Sequence, residues 1–445
     1  MADESPSLSS SILWQNNNKS VVLLDLPRSI EEAQVLSSQL TAISRPPTAS
    51  AKDNNPDLDN PDLDNPGRPR KLRRLISAPP PTCPFPTPEP RAGRFSEPPA
   101  ASPSAQVAEL MTQATVESAL DEIKQSYSGP WCLPRVYAKN PPPTPSSVVP
   151  DDPPTKETET SYHLPENAHV LHGTITSQRT TFLKTTRPNQ FHLILLDPPW
   201  PNRSAKRKRA YRTAPFSSSS SSSPFPPSPP HSHPPSSSPT PAAEESPPIE
   251  ISTLLHQIPI ASRLAPAGLV AVWVTNAART VELLTQQGGR GVFDAWGVEV
   301  VGEWIWLKVT AGAAPAGTGR DGGEVGGEVG GKDGRGGGGE PVVGVDSGWR
   351  KPWERLIIAR KKKEVSGSSS SVAGDGPVPR KVIVSVPDVH SRKANLRGLF
   401  EELLPERYEA LEVFARNLTA GWWAWGDEAL LFQRRECWED EEQEV

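Results

Sequence analysis

The sequence predicts an α/β fold: a mixed sheet of about seven strands, covered by helices on both faces and confined to residues 161–436. Three observations carry this expectation. From about Tyr162 onward, short β-branched and aromatic runs recur at intervals. Stretches with apolar residues at helical spacing stand between several of them. The 53 Pro and 32 Gly in 445 residues, with a hydrophobic fraction of only 35%, leave too little apolar material for the whole chain to share one core.

Residues 1–160 read as a mostly disordered, Pro- and Ser-rich region, whose tandem repeat NPDLDNPDLDNP (Asn55–Pro66) has no apolar face to stack. Two stretches stand out there. SVVLLDLP near residue 20 is apolar, and residues 105–127 carry helical periodicity suited to packing on a core or a partner. Strands are expected at Phe191–Leu196, Leu269–Thr275, Val298–Leu307, Arg355–Ala359, Val382–Val386, Glu409–Phe414 and Leu430–Gln433, with helices at Ala277–Gln287 and Arg392–Leu404. No helix separates Val298–Leu307 from Arg355–Ala359, so this pair reads as an antiparallel edge. Low-complexity insertions at 213–245, 311–345 and 362–379 interrupt the domain, and an acidic tail follows at 437–445.

A net charge of −5 rules out a global field that would draw the protein to nucleic acid or membrane, so any basic site must be local. The polar start MADESPSLSSS lacks the charged head and apolar run of a secretory signal, and no run of about 18 apolar residues occurs. A soluble intracellular protein without membrane contact is expected. Cys83, Cys132 and Cys437 lie far apart and read as free thiols. His163, His169 and His172 have no carboxylate or Cys at ligand spacing, so no metal is expected. GTGRDG (Gly317–Gly322) matches GxGxxG formally but opens no helix and follows no strand, so it fails as a dinucleotide site.

The chemistry concentrates where the first core strand ends, at Asp197, Pro198, Pro199 and Trp200. In an open α/β sheet, ligands bind outside the carboxyl ends of strands. The two prolines lack N–H groups and stop the ladder, leaving carbonyls directed outward. A carboxylate, a carbonyl and a flat indole side by side suit a planar base with an exocyclic amine: the ring stacks on Trp200 while Asp197 and the Pro198 carbonyl accept its N–H bonds. Such an amine is a poor nucleophile, and acceptors that orient it favour its in-line attack on a sulfonium methyl. A Pro-capped strand end with an incidental Trp is the bland alternative.

DPPW resembles the motif of the MT-A-seventy-like family, the S-adenosylmethionine-dependent adenine N(6)-methyltransferases. Five further blocks match it in order: Leu254–Asn276, Val298–Thr310, Lys351–Arg360, Val382–Leu396 and Leu411–Gln433. The likeness is closest to the methyltransferase-like protein four branch. It implies a Rossmann-like class I methyltransferase fold in circularly permuted order, with the catalytic motif early and the cofactor motif late, and S-adenosyl-L-methionine as cofactor. The family pattern implies that Lys393, in HSRKA, pairs with the cofactor carboxylate. It also implies that Glu412, Arg416 and Asn417 reach its ribose and ammonium groups, and that Asp427 and Glu428 lie near its ribose or adenine. A surface turn is the alternative for the last two. GWWAWG (Gly421–Gly426) reads as core and cofactor-pocket wall. Ala394, Asp427 and Trp353 depart from the family's usual Pro, Asn and Tyr, and a carboxylate at 427 cannot donate a hydrogen bond.

Arg203, Lys206, Arg207, Lys208, Arg209, Tyr211 and Arg212 follow the corner directly, where a phosphate backbone would pass if a base entered. Nuclear import, with KRKR and RKLRR (Arg70–Arg74) as candidate signals, and a solvated charge run remain open beside nucleic-acid contact. The branch resemblance implies methylation of adenosine in small nuclear RNA, already 2′-O-methylated, with DNA adenine as the alternative; a nuclear or nucleocytoplasmic enzyme is expected. Methylation of a protein amide and a catalytically silent nucleic-acid-binding subunit are the rivals. The protein partner of the N-terminal region is unknown.

Overall fold

The computed structural model describes residues 10–37, 73–86, 103–138, 162–187, 189–201, 250–286, 288, 291–312, 338–348, 350–362 and 376–439. These form a single mixed sheet with helices packed on it. Its strands are β1 (Ile12–Gln15), β2 (Val21–Leu24), β3 (His169–His172), β4 (Phe191–Leu196), β5 (Leu264–Val274), β6 (Val298–Lys308), β7 (Trp353–Lys361), β8 (Lys381–Ser385), β9 (Ala410–Val413) and β10 (Trp423–Gly426). In space they run β1-β2-β8-β6-β7-β5-β4-β9-β10-β3.

The sheet is parallel from β5 through β4, β9 and β10 to β3. On the other side β7 runs antiparallel to both β5 and β6. The expected antiparallel pair is therefore present but lies in the middle of the sheet, because β8 pairs in parallel with β6 and carries β2 and β1 beyond it. This is the circularly permuted class I methyltransferase arrangement. The strand that ends in Asp197 lies in the middle of the chain, and its neighbour β9 arrives more than two hundred residues later, paired through Leu196 and Val413.

Ten strands replace the expected seven for identifiable reasons. The Val21–Leu24 run is wholly buried and joins the sheet, so the first 160 residues contribute structure as well as low-complexity sequence. The helix that follows, α1 (Leu26–Glu32), starts where the sequence allows it: the Asp25 carboxylate accepts the Arg28 N–H at 2.9 Å, and Pro27 occupies the first turn. The expected 105–127 helix is α2 (Pro103–Ser126). Val116, Ala119, Leu120 and Ile123, one apolar stripe, pack it on β2 and β8. His169–His172 becomes β3, in which His169 stacks on Trp423 at 4.5 Å.

Leu430–Gln433 is not a strand. Its backbone folds into turns, with the Leu431 and Gln433 N–H groups bonded three residues back, while the buried Gln433 amide bonds the Gln34 side chain at 3.1 Å. The strand of this region is Trp423–Gly426. Of the expected helix at Arg392–Leu404 only α8 (Arg397–Phe400) forms. The Asn395 side chain accepts the Arg397 N–H at 2.9 Å and donates to Thr419 at 2.7 Å, which fixes an extended approach. The helix expected at Ala277–Gln287 is α6 (Ala278–Thr285). The expected insertions and tail also give up their margins to the core. Val342, Val343, Val378 and Trp438 are all buried. Among the described residues no helix is long and apolar enough to cross a membrane, and no group of His, Cys, Asp and Glu could hold a metal ion.

The N-terminal strands cover β8. Val22, Leu23, Leu24, Leu26 and Ile30 are at most 2% exposed, and burial of each contributes about 1.5–3 kcal/mol, a sum comparable to the whole stability of about 5–15 kcal/mol for a domain. A chain beginning at residue 160 is therefore expected to lose cooperative unfolding in a thermal melt that the full-length protein shows.

Candidate active site

The sheet has a topological switch between β4 and β9. From β4 the chain proceeds to β5 on one side, and from β9 to β10 on the other, which opens a crevice at their carboxyl ends. Asp197 sits on that rim, its N–H still bonded to the Val413 carbonyl at 3.3 Å. Pro198 and Pro199 then end the ladder. The Pro198 carbonyl is not wholly free, as the sequence had implied: it accepts the Trp200 N–H at 2.7 Å, closing a three-residue turn and leaving one lone pair. Trp200 is only 5% exposed, and its indole N–H donates to the Trp273 carbonyl at 2.6 Å. It lines the cleft from within the core, so little of its indole is open to a bound ring.

The Asp197 carboxylate is gripped by two cations. Lys393 Nζ donates to Oδ1 and Oδ2 at 3.1 and 3.0 Å, and Arg416 Nη1 to Oδ2 at 3.2 Å. Arg416 continues to Glu428 at 2.9 Å, and Lys393 to Glu354 at 3.2 Å, where Lys308 also pairs. Burial alone would raise the Glu354 carboxyl, but Lys308 and Lys393 hold it far below the usual range. Burial likewise opposes the Lys393 charge, yet Asp197 and Glu354 leave its pKa raised. Glu412 has no ion pair among the described residues: burial, reinforced by the charge of Asp197, outweighs Arg416 and Lys393 and pushes its carboxyl up to about 8.

Two strained residues aim these groups. Phe414, just past β9, has φ 60 and donates its N–H to the Trp425 carbonyl at 2.7 Å, turning the chain so that Arg416 reaches Asp197. Ser391 has φ 69 in the loop carrying Lys393, and its carbonyl accepts from Arg416 at 3.4 Å. That loop is held by residues the sequence had not marked. Asp388 accepts from Arg392 at 2.5 Å and from the Ala78 N–H at 2.7 Å, and Arg135 lies 3.6 Å away, with the Arg135 and Asp388 side chains 1% and 0% exposed. Arg135 also donates to the Val386 and Pro387 carbonyls at 3.1 and 3.0 Å.

Asp197, Trp200, Lys393 and Arg416 line one cleft of about 1050 Å³, at the upper end of the range of small-ligand sites. Glu412, Asn417, Asp427 and Glu428 do not line it, although Glu428 is joined to it through Arg416. Asn417 is buried, and Asp427 accepts from His172 through its backbone carbonyl at 3.0 Å. The GWWAWG tryptophans belong to the core, with Trp425 stacked on Phe182 at 4.5 Å, and none lines the cleft. Lys308, Glu354 and Asn276 do line it and lie within the matched sequence blocks, but their roles become visible only when β5, β6 and β7 come together. Arg203, Lys206, Arg207, Lys208, Arg209, Tyr211 and Arg212 lie outside the described residues.

The MT-A70 sequence profile matches residues 246–324 and 338–428, beginning after the Asp197 corner and breaking at the Gly-rich insertion. Over 429 residues, 96% of this chain and 94% of the relative, the sequence is 42% identical to the N6-methyladenosine RNA methyltransferase MTA1 of Cryphonectria parasitica. The chain belongs to the MT-A70 family. The protein of the same designation from Pyricularia oryzae is 38% identical over 97% of both chains. Human N(6)-adenine-specific methyltransferase METTL4 is 30% identical over 55% of this chain and 38% of its own length. This MT-A70 protein is thus an S-adenosyl-L-methionine-dependent N(6)-adenine methyltransferase. Of the groups that line the cleft, the Lys393 and Arg416 cations suit the carboxylate of that cofactor and the Glu354 carboxylate suits its ammonium or hydroxyl groups.

Two outcomes follow from the charges. Asp388→Asn leaves the Arg135 and Arg392 guanidinium groups buried without their counter-ion, and chemical denaturation is expected to register a loss of about 3–5 kcal/mol. In the ligand-free protein Glu412 keeps its proton to about pH 8, whereas in the unfolded chain it releases it near pH 4.3 (about, by model peptides). The native state binds more protons between those values, so stability falls as pH rises through the window. Glu412→Gln is expected to flatten that fall, measured as urea midpoints at acidic, neutral and mildly alkaline pH.

Proposed function

We propose that this enzyme methylates N(6) of an adenosine in RNA, and that Asp197 and the remaining lone pair of the Pro198 carbonyl are the acceptors that orient the reacting amine. The observation that carries this reading is the Asp197 corner itself, a carboxylate fixed by two cations on the rim of an open cleft. S-Adenosyl-L-methionine supplies an electrophilic methyl group when bound. The protein's part is to hold the amine in line and to stabilise the positive charge that develops on it. Lys393 and Arg416 fix the carboxylate so that it need not reorganise. The cofactor roles of Lys393, Glu412, Arg416, Asn417, Asp427 and Glu428, and that of Trp200 as a wall for the base, belong to the same proposal.

RNA is favoured over DNA because the two fungal relatives named as RNA methyltransferases align with nearly the whole chain. An unpaired adenosine enters such a cleft without the cost of extrusion from a duplex. Nuclear residence, resting on the two basic runs, and a protein partner for the N-terminal region are further parts of the reading.

Methyl transfer from labelled cofactor by the full-length protein, to matched RNA and DNA oligonucleotides with and without a 2′-O-methyl group on the target adenosine, is the direct check. Label is expected on RNA adenine, and Asp197→Asn is expected to lose at least about a hundredfold in rate while retaining a cooperative melt. Equal labelling by Asp197→Asn would remove the corner from the mechanism. Label on DNA alone would reassign the substrate.

A further inference from the structure

The cleft has a second wall that the Asp197 corner does not use. Phe85 and Arg350 line it, from segments far apart in sequence. Phe85 is held by backbone on both sides: its own N–H donates to the Val342 carbonyl at 2.7 Å, and the Pro81 carbonyl accepts from Ala311 at 2.8 Å. Further back, the Ala78 N–H is bonded to Asp388, so the segment is tied to the loop that presents Lys393. Phe85 is nonetheless 40% exposed as a residue. An aromatic ring fixed by its backbone and left open to a cleft is shaped for a ligand rather than for the core.

Arg350 completes the feature. Its guanidinium carbon lies 5.8 Å from the Phe85 ring centroid, and it has no carboxylate partner among the described residues. Its neighbour Lys351 is already engaged, paired with Glu109 of α2 at 2.6 Å. The cation this wall offers to an anion is therefore Arg350. An exposed aromatic ring with a guanidinium lying over it is a combination that holds one nucleotide of a single strand, with the base on the ring and the phosphate on the cation.

We propose that Phe85 and Arg350 form a subsite for the nucleotide adjoining the target adenine in single-stranded RNA, its base stacked on Phe85 and its phosphate paired with Arg350. This rests on the nucleic-acid reading given above. Stacking is tolerant of base identity, so the subsite raises affinity without imposing a sequence. In a duplex the neighbouring base is stacked within the helix, so the subsite selects for unpaired segments.

The test uses the full-length protein and a short RNA with one adenine, alongside versions carrying an abasic nucleotide immediately before or after it. Phe85→Ala is expected to raise KM for the intact RNA about tenfold, with kcat and the Kd for cofactor unchanged. For wild type, one of the two abasic RNAs is expected to show the same rise, and for Phe85→Ala that RNA should show no further rise. Arg350→Ala is expected to raise KM and to lower the slope of log affinity against log salt by about one. Phe85→Trp, which keeps a stacking face, should restore KM, whereas loss of ring packing alone would not be rescued by a larger ring. An unchanged KM in Phe85→Ala, or an abasic penalty that persists undiminished in that variant, overturns the subsite while leaving the enzyme's function in place. Failure of the wild type to methylate any RNA overturns the RNA reading itself. The same series in DNA tells whether the base or the sugar is read.

Discussion

Asp197 is held by Lys393 and Arg416, and that three-way contact ties the ends of two neighbouring strands to the loop that follows a third. Asp197 ends β4, Arg416 follows β9, and Lys393 lies in the loop after β8. Because β4 and β9 run parallel as neighbours, their carboxyl ends open side by side, and the switch in chain direction leaves the gap uncovered. Acids and bases placed in such a half-buried gap must be paired, since an isolated charge there is expensive. Asp197, Glu354 and Glu428 are matched by Lys308, Lys393 and Arg416. A fourth acid, Glu412, forms no ion pair among the described residues, and burial together with the charge of Asp197 keeps its proton on while Glu354, held by Lys308 and Lys393, gives its own up.

The same contact makes the N-terminal region part of the site. Lys393 is placed by a loop whose shape comes from Asp388, and Asp388 is bonded to Ala78 and approached by Arg135. Segments that sequence alone marks as Pro-rich and polar thus reach under the catalytic loop and lock it. The β2 strand and α1 give those segments a platform: Glu31 accepts from Arg28 at 3.0 Å and from Arg74 at 3.1 Å, and the Asp25 carboxylate accepts from the Leu133 N–H at 2.8 Å. Two fungal relatives align across nearly this entire length, as a region built into the fold would require.

What was legible in the sequence was local. β4, β6, β7 and β8 fall within a residue or two of the apolar runs that announce them, and α2 is where its periodicity puts it. The Asp197 corner is legible because two adjacent prolines after a buried run leave few alternatives. What was not legible depends on pairing at a distance. Val21–Leu24 is too short and too isolated to be read as a sheet strand until β8 is there to receive it. Trp423–Gly426 hides because three tryptophans within four residues look like pocket wall as much as strand, whereas Leu430–Gln433 has the apolar look of a strand but is fixed in turns by the buried Gln433 amide. Asp388 and Arg135 carry no motif. Their meaning arises only when two segments more than two hundred and fifty residues apart fold against each other.

The saturation of Lys393 bears on how the site must work. An ammonium has three N–H donors, and here they are shared among the two Asp197 oxygens and Glu354. A ligand carboxylate can take up Lys393 only by exchange, displacing one of those partners. Exchange of one ion pair for another costs far less than creating a cation without a partner, because the desolvation has already been met in the ligand-free state. Where the partner displaced is Asp197, Arg416 keeps its hold on that carboxylate, which then stays in place and gains acceptor capacity towards the cleft. In that case filling the cation site and freeing acceptor capacity on Asp197 are one and the same exchange at the corner.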